Sequence, residues 1–347
     1  MNLCFLIPSI KRLGPINVVF DLCLSLNTKC NITLISIQPE IYGDAAVDFS
    51  ISGVSDILFL SSNNLVGKYF ELRSILNSRK FDVIHSHCFF PDVFNALLLT
   101  KGSKVTTLHN FLYFDYKFEY GNFKGLILSF MHRMSLKRIK NVVGCSKSVM
   151  DVTKICDAFI RNGVHSKTLY RPVGSKLKFI YVGRLIERKN ISMLVKAFSV
   201  FSNVELHIVG DGPLLNDLQS IAGSNIFFHG FVPDPSIFYS DVDFFVSASF
   251  AEGLPLSLLE ALSFSLCYLV SDILPHKEIH DLSCSGFVVE NNFESWVSTI
   301  KNVCSLSDYE INQMKLKSVD SFNKNFSFNV MADSYYRYYK YLGQKNA

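Results

Sequence analysis

Apolar and polar positions along the 347-residue chain fall into two series of strand-length apolar runs, with a helix-length segment between successive runs. The first series is Leu3 to Ile7, Ile32 to Ile35, Asp82 to His85, Lys104 to Leu108 and Asn141 to Gly144. Such βα alternation predicts a parallel sheet covered by helices on both faces. The segment Asn162 to Ser175, rich in Gly, Ser and Pro and poor in large apolar residues, then interrupts the pattern and predicts a linker. A second series follows: Leu177 to Val182, Val204 to Val209, Asn225 to Phe228, Val242 to Val246, Leu266 to Val270 and Gly286 to Val289. The chain closes on Phe326 to Leu342, a helix-length segment carrying Tyr335, Tyr336, Tyr338, Tyr339 and Tyr341, which is expected to dock rather than hang free. No repeat at a fixed period and no low-complexity tract is visible.

Length agrees with this division, since 347 residues exceed one ordinary core and suit two domains of about 150 to 170 residues with a cleft. The expected fold class is α/β, with two doubly wound Rossmann-like domains over residues 1–165 and 166–325. A terminal helix over 326–347 is expected to pack back toward the first domain. A hydrophobic share of 49% with 18% charged residues excludes a disordered chain. Nine cysteines without a C-x-x-C pair favour a reducing compartment. Met1 to Ile7 enters an apolar strand with no basic leader, and no apolar run reaches about 18 residues, so a cytoplasmic, non-spanning protein is expected.

Charge matters through its distribution. Up to Pro172 there are 20 Lys and Arg against 12 Asp and Glu, and beyond it 14 against 18. The densest basic patch is Lys124, Arg133, Lys137, Arg138 and Lys140, interspersed with Leu126, Ile127, Phe130, Met134 and Ile139. One reading is a basic amphipathic helix at the anionic inner face of the cytoplasmic membrane; the other is a solvated helix packing its apolar side on the first domain. A nucleic-acid partner is not expected, because no recognition motif is present and the charge excess is mild.

Ligands of open parallel sheets bind beyond the carboxyl ends of the strands, so the strand-to-helix turns are where chemistry is sought. In Tyr181-Val-Gly-Arg-Leu-Ile-Glu-Arg-Lys-Asn190, Gly183 ends a strand, Arg184 and Lys189 sit in the loop and Asn190 is placed to cap the next helix. Two cations with a helix N-terminus suit a diphosphate. In His207-Ile-Val-Gly-Asp-Gly-Pro213, Gly210, Asp211 and Gly212 form a tight turn that a nucleobase can approach, although a purely structural turn has the same residues. In Ala251-Glu-Gly-Leu-Pro-Leu-Ser-Leu-Leu-Glu-Ala261, Pro255 suits the first helical position. Glu260 then lies about 7.5 Å along the helix. Glu252 waits ahead of it, and the amides of Leu254, Pro255's neighbour Leu256 and Ser257 are available to a phosphate.

These three turns, in this order, resemble the second domain of the GT-B glycosyltransferases of family 4, whose signature is Glu-x7-Glu. The resemblance covers essentially the whole chain, since the first half carries Ile7-Pro-Ser-Ile-Lys-Arg-Leu-Gly-Pro15, Asp82-Val-Ile-His-Ser-His87, Thr106-Thr-Leu-His-Asn110 and Gly144-Cys-Ser-Lys147 in the family's order. It implies a retaining, metal-independent transferase moving a hexose or N-acetylhexosamine from a nucleotide diphosphate-sugar, uridine being the favoured base. The nucleotide sugar is a co-substrate, and no cofactor is implied. Arg184 and Lys189 are implied to hold the diphosphate, Glu260 the ribose and Glu252 the sugar hydroxyls. His109 is implied to face the donor sugar from the first, acceptor-binding domain, and Gly14 to let its loop approach phosphate or acceptor. One departure from the pattern is Pro15, where many members have a second glycine. The acceptor expected from the basic first half is a saccharide on a lipid carrier, as in O-antigen, capsule or lipopolysaccharide synthesis.

His85 and His87, alternate residues of one strand, suggest a metal pair, but a structural or cleft-lining role is favoured because no carboxylate or thiolate partner is at ligand spacing. His132, His165, His207, His229, His276 and His280 are assigned packing or surface roles, and Glu278 is placed near the cleft. Two rival functions are a hydrolysing UDP-sugar 2-epimerase of the same architecture and a non-catalytic GT-B subunit. The combination of Glu-x7-Glu with the Gly-Arg…Lys loop argues against the first, and the intact charged set Arg184, Lys189, Glu252 and Glu260, with His109, against the second.

Overall fold

The computed structural model describes residues 1–11, 14–39, 49–50, 52–165, 173 and 176–345. The chain divides into two units, Met1–Val164 with Phe328–Ala347, and His165–Ser327. Much of the expected linker, residues 166–172, 174 and 175, lies outside the described residues, as do Arg12 and Leu13 of the first motif.

Unit 1 is built on a parallel sheet of β1 (Asn2–Ile7), β2 (Asn31–Ser36), β3 (Asp56–Phe59), β4 (Val83–His87), β5 (Ser103–Leu108), β6 (Asn141–Gly144) and β7 (Ala158–Phe159). Their order is β3-β2-β1-β4-β5-β6-β7. Every residue of β4 and five of the six in β1 and in β2 are buried, which is why these strands read as unbroken apolar runs. β3 is an edge strand with no fully buried residue and β7 spans two residues, so neither produces such a run.

Gly14 sits at φ +48°, a left-handed conformation that a side chain disfavours, and immediately precedes the helix Pro15–Leu26. Pro15 occupies the first position of that helix, where its fixed φ and missing N–H cost nothing, and this accounts locally for a proline there. The helices Leu112–Tyr120 and Asn122–Ile139 form a hairpin about Gly121, whose φ of +80° ends one helix and starts the other. At Gly125 a Cβ would stand 2.8 Å from the Tyr116–Lys117 backbone, so glycine sets how closely the two helices cross.

The helix Asn122–Ile139 carries the basic patch. It buries Gly125, His132, Leu136 and Ile139 against unit 1, while Leu126, Ile127, Phe130, Met131 and Met134 stay exposed. The terminal helix Phe328–Lys345 begins just after the return to unit 1 and lies along Pro15–Leu26, with Met331, Ala332, Tyr335, Tyr339 and Leu342 buried.

Unit 2 repeats the plan with β8 (Lys178–Val182), β9 (Glu205–Val209), β10 (Ile226–Phe228), β11 (Phe244–Ser247), β12 (Cys267–Ser271) and β13 (Gly286–Val289). Their order is β10-β9-β8-β11-β12-β13, the doubly wound arrangement whose strand order reverses between β8 and β11. The core is rich in aromatic rings: Phe179 stacks on Phe244 at 5.2 Å and meets Phe198 edge-on at 5.0 Å, with Trp296 fully buried in the same cluster. The helix Asp308–Asn325 delivers Lys315 to Asp243 at 2.9 Å, an ion pair whose partners are each 1% exposed. The same carboxylate accepts the backbone N–H of Lys178, so its second oxygen is also used.

Candidate functional site

The reversal of strand order in unit 2 brings the turn after β8 beside the turn after β11, and Lys189 and Glu252 of the sequence motifs meet there. Beyond β8 the chain passes Gly183 and makes a short 3-10 turn, Glu187–Lys189, closed by Asn190 in a left-handed conformation. Asn190 precedes the helix Ile191–Phe198 by position only. Contrary to expectation it makes no side-chain cap and instead donates to Asn291 at 3.1 Å, because its left-handed backbone is not the extended one a capping side chain requires.

The 3-10 turn aims Arg188 and Lys189 at the loop after β11. Lys189 Nζ donates to Glu252 Oε1 at 2.5 Å, Arg188 Nη1 to Glu252 Oε2 at 3.3 Å and to the Ala251 carbonyl at 2.6 Å, and Ser249 Oγ to Glu252 Oε1 at 2.7 Å. Glu252 is 7% exposed. Burial alone would push its carboxyl up, but Lys189 and Arg188 outweigh burial and hold it down at about 2. The result is a desolvated, permanently ionised carboxylate clamped by two cations. Arg188, which sequence reasoning passed over in favour of Arg184, is the second of those cations. Arg184 is exposed, and its carbonyl accepts the Tyr181 hydroxyl at 2.9 Å.

Pro255 stands one residue ahead of its expected place. It is extended (ψ 108°) and precedes the helix Leu256–Ser263, so the first-turn amides belong to Leu256 and Ser257. Leu254 is buried at the entry to the helix. Glu260, the fifth residue of the helix, is half-buried and accepts from the Tyr239 hydroxyl at 3.2 Å.

Gly210 and Gly212 make a close approach, and what they approach is the neighbouring turn. A Cβ on Gly210 would lie 1.9 Å from the Gly183 carbonyl oxygen, and one on Gly212 2.5 Å from that of Leu185. Bonds from Gly183 N to Val209 O at 3.0 Å and from Leu185 N to Asp211 O at 2.9 Å lock the two turns together. Asp211 braces its own turn by accepting the Gly212 amide at 2.7 Å.

His276, assigned to packing or surface by sequence, belongs to the same region. It is fully buried, and burial lowers its ring to about 4, so it is neutral near pH 7. Nδ1 contacts the Ser271 carbonyl at 2.9 Å, and only a protonated Nδ1 can donate there, which leaves Nε2 an acceptor. Nε2 is buried with no hydrogen-bond partner among the described residues. Ser271 Oγ in turn donates to the Ser249 carbonyl at 2.7 Å, tying His276 to the Glu252 loop. Glu278, two residues on, is buried. Small polar residues at the ends of β11 and β12 (Ser247, Ser249, Ser271) are the signal that would have pointed to this network.

In unit 1 the equivalent strand ends carry imidazoles in place of ions. His87 Nδ1 and His109 Nε2 are 2.9 Å apart, and the His85 and His87 rings lie 4.2 Å apart. His85 bonds to Tyr339 at 2.6 Å and to Thr107 at 2.8 Å, and Thr107 to Tyr335 at 2.6 Å, so the tyrosines of the terminal helix complete a buried polar network. Burial drives all three rings toward the neutral form, His109 to about 3 and His85 and His87 well below their ordinary value. Among the described residues no three His, Cys, Asp or Glu side chains are grouped to hold a metal. Of the packing or surface roles expected for His132, the structure gives packing: it is buried and bonded to Asp92 at 2.8 Å.

Residues 17–164 match the family described as Glycosyltransferase Family 4, and residues 170–317 match Glycosyl transferases group 1. The O-antigen biosynthesis glycosyltransferase WclY of Escherichia coli is 22% identical over 366 residues, covering 99% of each chain. The capsular polysaccharide biosynthesis glycosyltransferase CapH of Staphylococcus aureus is 26% identical over 259 residues, covering 68% of this chain and 72% of that one. In fold, sucrose-phosphate synthase from Thermosynechococcus elongatus superposes with a TM-score of 0.84 at 14% identity, over 99% of this chain and 100% of that one. Anabaena HepE in complex with UDP does so with a TM-score of 0.78 at 15% identity, over 97% and 99%. With both halves matched, two doubly wound units in sequence and charged turns at the second switch point, this chain belongs to the family 4 glycosyltransferases of the GT-B fold.

Proposed function

We propose that the protein is a retaining, metal-independent glycosyltransferase that moves a hexose or N-acetylhexosamine from a UDP-sugar to a lipid-linked saccharide during bacterial surface polysaccharide synthesis. The observation that carries the donor side is the clamped carboxylate of unit 2. Lys189, Arg188 and Arg184 supply charge-assisted bonds to a diphosphate, and the first amides of Leu256–Ser263 add backbone donors. Glu252, ionised at all physiological pH, accepts from sugar hydroxyls, His276 Nε2 offers a further acceptor, and Glu260 receives the ribose. During transfer the acceptor oxygen bonds to the anomeric carbon on the leaving-group face as the carbon–phosphate oxygen bond breaks. The hydroxyl proton goes to the departing phosphate oxygen, whose growing charge the cations stabilise. His109 is proposed to contact the donor sugar. The names of WclY and CapH, and the UDP bound to HepE, support the polysaccharide and uridine readings.

The lipid side of this reading rests on the hairpin of unit 1. Phe123 and Phe130 are 77% and 65% exposed, with Leu126, Ile127, Met131 and Met134 also open to solvent and Lys124, Arg133, Lys137, Arg138 and Lys140 exposed among them. An apolar patch ringed by cations suits an anionic bilayer surface. No helix among the described residues is long and apolar enough to cross a membrane.

Purified protein incubated with UDP-sugars and a bacterial lipid extract should give a glycosylated lipid with retained anomeric configuration. Isomerised UDP-sugar formed without acceptor would establish the epimerase reading instead. Flotation with phosphatidylglycerol vesicles should recover the protein, and changing Lys137, Arg138 and Lys140 to Ser should release it; flotation unchanged by that triple substitution refutes the membrane surface.

A further inference from the structure

Beside His109, unit 1 holds a cavity of about 280 Å³ whose wall includes His109, Asn110, Asp115, Tyr116, Glu119 and His132. Part of that wall is a buried relay that no part of the donor chemistry uses. Asp92, 1% exposed, accepts from Thr106 Oγ1 at 2.7 Å through one oxygen and lies 2.8 Å from His132 Nε2 through the other. An ionised carboxylate only accepts, so Nε2 carries the ring proton and, in the neutral ring, Nδ1 is an acceptor. The Tyr116 hydroxyl, 2.7 Å from Nδ1, therefore donates its proton into the protein and keeps its oxygen lone pairs for the cavity. The phenol is further held by Phe89, which meets Tyr116 edge-on at 6.0 Å and His132 at 5.3 Å.

The rest of the wall has the same polarity. Asp115 and Glu119 stand four residues apart on Leu112–Tyr120, a like-charge spacing that disfavours the helix. Asn110 Nδ2 donates to Asp115 Oδ2 at 3.1 Å and orients it. Three carboxylates and an outward-facing phenol oxygen, with no lysine or arginine among the described lining residues, repel phosphate and attract a ligand rich in hydroxyl donors. Phe89 and Leu112 supply apolar surface for the C–H face of a ring. The volume is near the lower end of the roughly 300–1,000 Å³ of small-molecule sites, too small for a nucleotide sugar.

We propose that this cavity is a saccharide subsite that holds one pyranose of the acceptor, with Tyr116, Asp115 and Glu119 accepting its hydroxyls and with Asp92 and His132 as positioning residues for Tyr116. This assignment rests on the glycosyltransferase reading for the word acceptor, while the binding itself is measured without transfer. Saturation-transfer NMR would use millimolar methyl glycosides of glucose, galactose, N-acetylglucosamine and N-acetylgalactosamine. At least one should bind the wild-type protein, and binding should persist in Glu252→Ala. Tyr116→Phe should weaken it about three- to tenfold, the loss of one neutral hydrogen bond, and Asp115→Asn by a comparable factor. His132→Gln should weaken glycoside binding while UDP affinity stays as in wild type, a pattern that a merely structural histidine would not give. If His132→Gln does not fold, Tyr116→Phe, which keeps the ring packing, still decides. Absence of binding by all the glycosides, or binding lost in Glu252→Ala and unchanged in Tyr116→Phe, overturns the proposal. A chain that binds glycoside through Tyr116 but neither binds UDP nor transfers sugar would instead overturn the function proposed above and leave the subsite standing.

Discussion

The two units use one strand order to opposite electrostatic ends. At the switch point of unit 2, a desolvated carboxylate is held ionised by Arg188 and Lys189. At the strand ends of unit 1, burial has stripped His85, His87 and His109 of charge and bound the first two rings into a hydrogen-bonded lattice with tyrosine, threonine and His109. A doubly wound sheet thus fixes where a site forms but not its polarity. Polarity is set by whether the loops bring in long cations from outside the sheet, as the turn after β8 does, or leave strand residues to satisfy one another.

The comparison is tested most severely at the charged end. Glu252→Ala should lower transfer on the order of a thousandfold, as expected for losing a preorganised electrostatic group, and should leave unit 1 as protected from hydrogen exchange as before. His109→Ala should also depress transfer; full activity in both variants would remove both assignments. Acid should separate the units next. Unfolded histidines take up protons below about pH 6.5, whereas His109 in the fold resists until about 3 and His276 until about 4, so protons in that window favour the unfolded chain. Each such ring loses on the order of 3 kcal/mol of stability by pH 4. Glu252 loses stability in the same direction but in a lower window: its contribution is intact above about 4.5 and is lost as pH falls through about 2. With three such rings in one cluster, β4 and β5 should lose exchange protection between pH 6.5 and 4 before β8 and β11 do; simultaneous loss would contradict the contrast.

Smaller effects sharpen it. Arg188→Ala should weaken UDP binding by calorimetry about 10- to 100-fold, the worth of a charge-assisted bond, and by more than Arg184→Ala, whose side chain is exposed. An equal effect would restore the order of importance read from sequence. Tyr339→Phe should cost about 1 kcal/mol or a little more in chemical denaturation, because it leaves the buried Nδ1 of His85 without a partner.

Much of this was legible in the sequence wherever the physics is local. Fully buried parallel strands announce themselves as apolar runs, and residues confined to one turn, such as Glu252 with Pro255 and Glu260, can be read together. The edge strands β3 and β7 were not legible, since half-buried or two-residue strands leave no run. Arg188 was passed over because its importance depends on Glu252, 64 residues away, becoming a neighbour only through the β8–β11 reversal. His132 and His276 look alike in sequence to surface histidines, and their partners Asp92 and Ser271 are set by helix packing and strand ends. The glycines at 210 and 212 mark a close approach, and in the fold their backbones close on the adjoining turn.

The return of the chain to unit 1 has a consequence for biosynthesis. His85 and Thr107 emerge from the ribosome early, yet their partners Tyr339 and Tyr335 are made only after the whole of unit 2. Until then these polar groups, and the face of Pro15–Leu26 that the terminal helix covers, have no protein to satisfy or bury them. The half of the molecule that is synthesised first is therefore the half that matures last, after unit 2 has all of its sequence available. A chain cut after Ser327 would strand the N-terminal sheet unfinished while leaving unit 2 whole.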